Sequence, residues 1–326
     1  MAMFQSIFKD ELQDFLALRK ISMSVSGYQH YRCYLASFDK YLVANCSERK
    51  ITETIIIGWI GTLTGKTSSK ANEIISISMF LKYLRTMGVA VFIPIVPKVA
   101  DDYMPYIFSD AELGRIFAAA DDLGANKSQR NPCMQIEFPV VLRLLYGCGL
   151  RIGETLSLRI KDIDLEGGII TILRAKKEKQ RLVPMSLSMT DILGRYCLAM
   201  GIVGVPDAIL FPGADPSKPA SVRSMRNKFD AITKSLEIAP KDRVWHERGP
   251  CMHCFRHVFV FKSFAKAEQE GRPIDDSIPF LSVYLGHDSL NETEKYLKFS
   301  SDIYPEALVL FEEYAGGVFP EVDYGQ

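Results

Sequence analysis

Along the first ninety residues apolar side chains recur every three or four positions, and polar residues break that rhythm at only a few places. From Phe8 to Tyr41 the chain reads FKDELQDFLALRK and then YQHYRCYLASFDKYL, interrupted by Ser24-Val25-Ser26-Gly27. Two amphipathic helices are predicted, because a 3.6-residue period gathers such positions on one face. ITETIIIGWIGTL opens on Thr52, whose hydroxyl can cap a helix N-terminus. SSKANEIISISMFLKYLRTMG closes on Gly88, which suits the left-handed residue that ends many helices. Four helices are therefore expected as one compact unit over 1–98. In VFIPIVPKVADDYMPY three prolines occur without a helical period, so an extended linker is expected over 99–106.

A second unit is expected over 107–326. It starts with IFSDAELGRIFAAADD, where Ser109 and Glu112 form a capping box, and continues as helix through EFPVVLRLLYGCG. The period then changes. LSLRIKDIDLEG, GIITILRAK and RLVPMS are short β-like runs separated by Gly167-Gly168 and by the charged turn KKEKQ, which predicts a small antiparallel sheet. Helices return at SMTDILGRYCLAM and SVRSMRNKFDAITKSL and run on to the end. The expected fold class is mainly α with a small antiparallel sheet, in two domains. A chain of 326 residues has the length for two cores at roughly 150 residues each.

Composition narrows the class. With 48% hydrophobic and 24% charged residues the chain is neither disordered nor fibrous. No apolar run is long enough for a membrane span, and acids appear too early for a secretory leader, so a cytoplasmic protein is expected. Seven scattered cysteines suit reduced thiols better than a disulfide framework. Formal net charge is zero, but the first 100 residues hold 12 Lys and Arg against 7 Asp and Glu, and the remainder 27 against 32. A +5 front and a −5 back fit an anionic ligand gripped partly by the N-terminal unit.

Several residues carry candidate chemistry. In GCGLRIGE, Arg151 follows helix-ending glycines and stands three residues before Glu154; a solvated or ion-paired arginine is the plain alternative. RAKKEKQR places Lys176, Lys177, Lys179 and Arg181 at a hairpin loop that could equally be a solvated turn. In CMHCFRHVFVF, His253 and Arg256 are three apart, so on a helix they share a face and could present two cationic groups to one phosphate. YLGHDSLNETEKYL offers His287 after Gly286, a capping-box start at Asn291 and Glu294, and Tyr296 nine residues beyond the histidine.

Taken in order, Arg151, Lys176, His253-x-x-Arg256, Leu285-Gly286-His287 and Tyr296 resemble the active-site signature of the tyrosine recombinase, or phage integrase, family. The motifs cover about 105–300, and the helical front resembles that family's core-binding, SAM-like domain. Arg181-Leu182-Val183-Pro184 matches the family's hairpin exit and so assigns its lysine to Lys176, although the usual Gly-Lys-Gly is here Ala175-Lys176-Lys177.

The resemblance implies a metal-independent, ATP-independent site-specific recombinase acting on double-stranded DNA, without cofactor. Arg151 and Arg256 would hold the non-bridging phosphate oxygens, which suits a planar, always-charged guanidinium. Tyr296 would attack phosphorus, His253 would serve as base, Lys176 as acid toward the leaving 5′ oxygen, and His287 as a donor to the phosphate. Glu154 would orient Arg151, with an ordinary helix-surface carboxylate as the alternative, and His257 would be structural. The resemblance further implies that the two domains clamp duplex DNA, that the tail DIYPEALVLFEEYAGG docks on a neighbouring protomer, and that a tetramer assembles on DNA; a tail folded back on its own chain is the alternative. An element-borne integrase is the expected role, with no arm-binding domain ahead of the helix at Phe8–Lys20.

Further DNA-backbone contacts are expected from Lys66, Lys70, Lys82 and Arg85 in the front unit and from Arg223, Arg226 and Lys228 behind it; solvated faces are the alternative. Cys251-x-x-Cys254 is the one metal-like spacing, but a zinc site needs two more ligands and only His257 is near, so no metal is expected and the cysteines read as small apolar packing residues. Two rival functions are a recombinase fold that has lost catalysis and a type IB topoisomerase.

Overall fold

The computed structural model describes residues 4–23, 25–99, 105–124, 131–173, 180–238, 249–287 and 289–294. The chain divides into two compact units, Met1–Asp102 and Tyr103–Gln326.

Unit one is built from α1 (Lys9–Ser22), α2 (Val25–Asn45), α3 (Glu53–Thr62) and α4 (Thr67–Thr86). Their apolar stripes meet in a core that includes Phe8, Phe15, Phe38, Trp59, Phe80 and Leu84. Phe38 and Trp59 pack edge to face at 5.0 Å, the geometry that the ring quadrupoles favour. The hydroxyl of Thr52 accepts the N–H of Ile55, so the expected cap starts α3. Gly88 adopts φ +82° just past α4, a conformation costly for any side chain. Buried Asp39 accepts the backbone N–H groups of Gln5 at 2.7 Å and Ser6 at 3.0 Å, which ties the chain start to α2. One pairing was not foreseen: β1 (Lys50–Ile51) and β2 (Ala90–Val91) form a two-residue parallel ladder. It is too short to leave a period, and β2 runs into the proline-containing stretch after α4, where no strand was expected.

Unit two packs α5 (Asp110–Asp121), α6 (Met134–Gly147), α7 (Ile152–Ser157), α8 (Leu187–Ala199), α9 (Val222–Ser235), α10 (His253–Gln269), α11 (Ile274–Leu285) and α12 (Asn291–Glu294) with one sheet. The Ser109–Glu112 capping box is present at the start of α5. The sheet is antiparallel, in the order β3 (Ile163–Asp164), β4 (Ile169–Leu173), β5 (Gln180–Pro184). Along β4 Ile170 and Ile172 are buried while their neighbours face outward, the period-two pattern of a half-buried strand.

The run LSLRIKDIDLEG is less extended than expected. It opens with the end of α7 and a 3-10 turn over Ile160–Asp162, closed by the Asp162 carboxylate accepting the Arg159 N–H at 2.8 Å, and only Ile163–Asp164 is strand. At α12, Asn291 is the first helical residue and does not sit in the cap position. A large core unites α5 to α10 around Phe108, Phe138, Phe211, Phe229 and Phe255, and a smaller one joins Val260, Phe261 and Phe264 to Ile278 and Leu285.

Candidate active site

The site begins where α6 ends. Gly149 turns the chain at φ +58°, and a Cβ there would stand 2.5 Å from the Phe259 ring. Arg151 follows in extended conformation as the cap of α7. The Glu154 carboxylate accepts the Arg151 backbone N–H at 3.0 Å and its guanidinium at 3.1 Å. Arg181 on β5 reaches the same carboxylate with two parallel hydrogen bonds of 3.0 and 2.8 Å, and its Nε donates to the Tyr284 carbonyl at 2.8 Å. Burial alone would raise the Glu154 pKa, but the bonds from Arg181 and the Arg151 N–H, with both positive charges, bring it down to about 2. Glu154 is therefore a fixed anion that joins α7 to the hairpin.

The second half of the site is brought by α10 and the end of α11. Arg256 is only 1% exposed; its guanidinium donates to the Gly149 carbonyl at 2.6 Å and to the Leu285 carbonyl at 2.8 Å. Gly286 ends α11 in the left-handed region, and this turn lets the His287 N–H bond back to Ser282 and swings the imidazole toward Arg256. His287 Nε2 lies 3.1 Å from the Arg256 guanidinium, and its Nδ1 lies 2.7 Å from the hydroxyl of buried Thr293 on α12. A guanidinium only donates, so Nε2 is the acceptor and Nδ1 carries the proton toward Thr293. Arg151 also reaches the Leu285 carbonyl, at 3.4 Å. Two guanidiniums and an imidazole thus gather at one backbone turn, from positions more than a hundred residues apart in sequence.

His253 and Arg256 are presented differently from one another. α10 is covered on nearly every side, so Arg256 is buried while His253 faces outward. The His253 and His257 rings meet edge to face at 4.7 Å. His257 is buried, and burial together with the nearby His253 and Arg256 drives its pKa down to about 3, which keeps it neutral. Cys254 is buried and Cys251 half-buried, with sulfurs 3.5 Å apart. Among the described residues no group of three or more His, Cys, Asp or Glu could hold a metal ion.

Lys176 and Tyr296 lie outside the described residues; the pairing of Leu173 with Gln180 marks both ends of the segment that holds the lysine. The tail after Glu294 lies outside them as well. In unit one the basic candidates lie at the two ends of one helix. Lys66 and Lys70 sit at the start of α4 and Lys82 and Arg85 near its end, roughly 25 Å away at 1.5 Å per residue. Arg223 and Arg226 are exposed on α9 and Lys228 is half-buried. A cavity of about 690 Å³ opens there, lined by Asn131, Ser221, Arg223, Ser224, Asn227 and Lys228 among others.

Residues 108–301 match the model of the phage integrase family. The chain belongs to that family. Its relatives include the putative integrase/recombinase y4rB of Sinorhizobium fredii, 24% identical over 93% of this chain and 96% of that protein. The tyrosine recombinase XerC of Myxococcus xanthus is 26% identical over 82% of this chain and 85% of its own. Among solved structures, the fold resembles the XerH recombinase in a post-cleavage complex with difH DNA, with TM-score 0.67, 19% identity and coverage of 89% of this chain and 81% of that one. It also resembles a lambda integrase dimer on a core site, with TM-score 0.64, 16% identity and coverage of 88% and 94%. The chain is thus a tyrosine-type site-specific recombinase, an enzyme that cleaves and rejoins DNA. No helix among the described residues is long and apolar enough to cross a membrane.

The sequence reading missed how three elements of this candidate site act. Arg181 was visible as one of the hairpin cations and as the hairpin exit, although its fork is what clamps Glu154. Thr293 had no signal beyond its nearness to His287. The Gly149 and Leu285 carbonyls are backbone groups that no side-chain motif can mark.

Proposed function

We propose that Arg151, Arg256 and His287 form the pocket for one scissile phosphate. The observation that carries this reading is their convergence on the turn at Leu285–His287. Two permanent cations and a histidine stand there, while the Glu154 carboxylate is already paired with two arginines. Such a cluster favours an anion whose charge grows in the transition state. On phosphate binding, guanidinium N–H groups that the carbonyls do not hold donate to the non-bridging oxygens, and Arg256 keeps its carbonyl anchors. His287 takes a proton at Nε2 and donates to the phosphate, with Thr293 holding Nδ1.

In the reaction we assign, the Tyr296 phenol attacks phosphorus and loses its proton to His253. The 5′ oxygen leaves with a proton from Lys176. The bond broken is the P–O5′ bond, and the bond formed is a 3′-phosphotyrosyl ester of similar energy. A 5′-hydroxyl from a second strand can therefore reverse the attack without ATP, and the guanidiniums supply the positive charge. Neutral His257 packs against His253 and fixes its ring.

Duplex DNA would be held by Lys66, Lys70, Lys82 and Arg85 in the front domain, over 1–98, and by Arg223, Arg226 and Lys228 in the catalytic domain, over 107–326, with 99–106 as linker. The expected assembly is a tetramer on DNA with the C-terminal tail exchanged between protomers. The solved relatives on DNA, one of them a dimer, support this reading, as do Phe280 and Val283 on α11, which are 76% and 74% exposed and suit a protein neighbour. Action on DNA supports a cytoplasmic location, and the relatives named integrase support an element-borne integrase role. The test is strand exchange between two plasmids carrying the DNA that flanks the gene, in EDTA. Recombinant products from the wild type and none from Arg256→Lys are expected. Relaxation of supercoils without exchange would favour a topoisomerase instead.

A further inference from the structure

The Cys251-x-x-Cys254 pair lies outside the proposed chemistry yet brackets one of its residues. The first turn of α10 brings the pair together: the Cys254 N–H donates to the Cys251 carbonyl at 2.9 Å, and the Cys251 N–H points to the Cys254 sulfur at 3.4 Å. The two sulfurs are 3.5 Å apart, with Cys251 open to small reagents and Cys254 only 2% exposed. A disulfide bond is about 2.05 Å long, so closure requires the sulfurs to approach by about 1.5 Å. All seven cysteines are thiols here, and Cys33 is the one that is fully surface-exposed. The described residues supply no third ligand for a metal at the pair.

We propose that Cys251 and Cys254 are a modification site, a dithiol that small-molecule disulfides oxidise to an intrachain disulfide, and that the bond slows DNA cleavage by shifting His253. The Cys251 thiolate attacks one sulfur of the reagent and releases one thiol as the mixed disulfide forms. The Cys254 sulfur gives up its proton and displaces the second thiol. Two protein thiols are thereby oxidised by one electron pair, and the reagent is reduced to two thiols. The hydrogen bond with the Cys251 thiol and burial push the Cys254 pKa up, so the outer cysteine, Cys251, is the one that attacks the reagent first. His253 lies between the two, and its backbone moves when they close. A displacement of about 1 Å in a catalytic group costs on the order of 100-fold in rate, whereas Arg256 keeps its anchors on Gly149 and Leu285.

The rate effect rests on the recombinase reading; the formation of the bond does not, and the experiment separates them. Full-length protein is incubated in glutathione buffers of stepped potential, digested without reduction, and mapped by mass spectrometry. Cleavage of a nicked substrate is timed on the same samples. The expected result is a peptide pair joined at Cys251 and Cys254, lighter by two hydrogens, together with cleavage slowed roughly 10- to 100-fold and restored by dithiothreitol. Cys251→Ser and Cys254→Ala, reduced, are expected to cleave at wild-type rate and to ignore the oxidant. Three results would overturn the proposal: no 251–254 link at any potential, a link with unchanged cleavage, or inhibition that persists in Cys251→Ser, which would point to Cys33. If no DNA is cleaved in any state while the link is mapped, the recombinase reading fails and the dithiol site stands.

Discussion

Arg181→Ala removes the fork that holds Glu154. Held at about 2 in place of 4.5, the Glu154 carboxylate favours its charged form by about 3 kcal/mol, at 1.36 kcal/mol per pKa unit. Arg181 supplies two of the three strongest bonds responsible, so about 2 kcal/mol belongs to it, and both partners are shielded enough, at 9% and 16% side-chain exposure, for that figure to apply. The catalytic unit should lose about 2 kcal/mol of stability, a fall of roughly 4–8 °C in Tm. The sign with pH follows: a depressed carboxylate pKa contributes stability above pH 4.5 that is lost as pH falls toward 2, so the variant's acid unfolding should begin at higher pH. The functional effect is larger. Without its clamp Glu154 no longer fixes the Arg151 guanidinium, and single-turnover cleavage of a nicked substrate should slow about 100-fold with DNA affinity changed only a few-fold. Arg181→Lys keeps the charge but not the fork and should recover part of the rate. Glu154→Ala combined with Arg181→Ala should cost little more than either alone. A variant that loses stability yet cleaves at the wild-type rate, or losses that add fully, would refute the claim that Arg181 positions Arg151.

Three further outcomes are expected. Glu137 is fully buried, and burial raises its pKa to about 7 against the opposing bond from Asn131; stability should therefore decline by about 3 kcal/mol as pH rises from 4.5 to 7, and Glu137→Gln, which keeps an acceptor for Asn131, should abolish that slope in urea unfolding at stepped pH. Thr293→Val removes the partner of His287 Nδ1 and should slow cleavage about tenfold with unchanged DNA affinity; equal rates would mean that the hydroxyl does not orient the imidazole. Gly149→Ala places a Cβ 2.5 Å from Phe259 at positive φ and should destabilise the catalytic unit by at least about 2 kcal/mol in denaturant titration, since the carbonyl of the same residue must stay on Arg256.

The helices were legible because their signals are local. Period 3.6 marked α1 to α4, the Thr52 and Ser109 caps fixed two starts, and alternation in IITIL marked β4. The β1–β2 ladder was not legible, because two residues carry no period and their partners lie forty residues apart. The run after α7 read as strand because LSLRI is rich in apolar residues, yet the Glu154 cap and the Asp162 turn settle its shape. The basic and histidine residues of the site were singled out by their resemblance, taken in order, to the family's signature. What spacing could not show is how the site is wired. Arg181 meets Glu154 only after the hairpin folds against α7, and Arg256 is anchored by two carbonyls whose positions depend on the glycine turns at 149 and 286.

The account stands most directly on one covalent bond. Wild-type protein and Tyr296→Phe would be trapped on nicked DNA in EDTA, the adducts digested, and the DNA-linked peptide sequenced by mass spectrometry. The account predicts a 3′-phosphate ester on Tyr296 in the wild type and no adduct in the variant. An adduct on another residue, with Tyr304 the first to inspect, or an adduct that survives Tyr296→Phe, would contradict it.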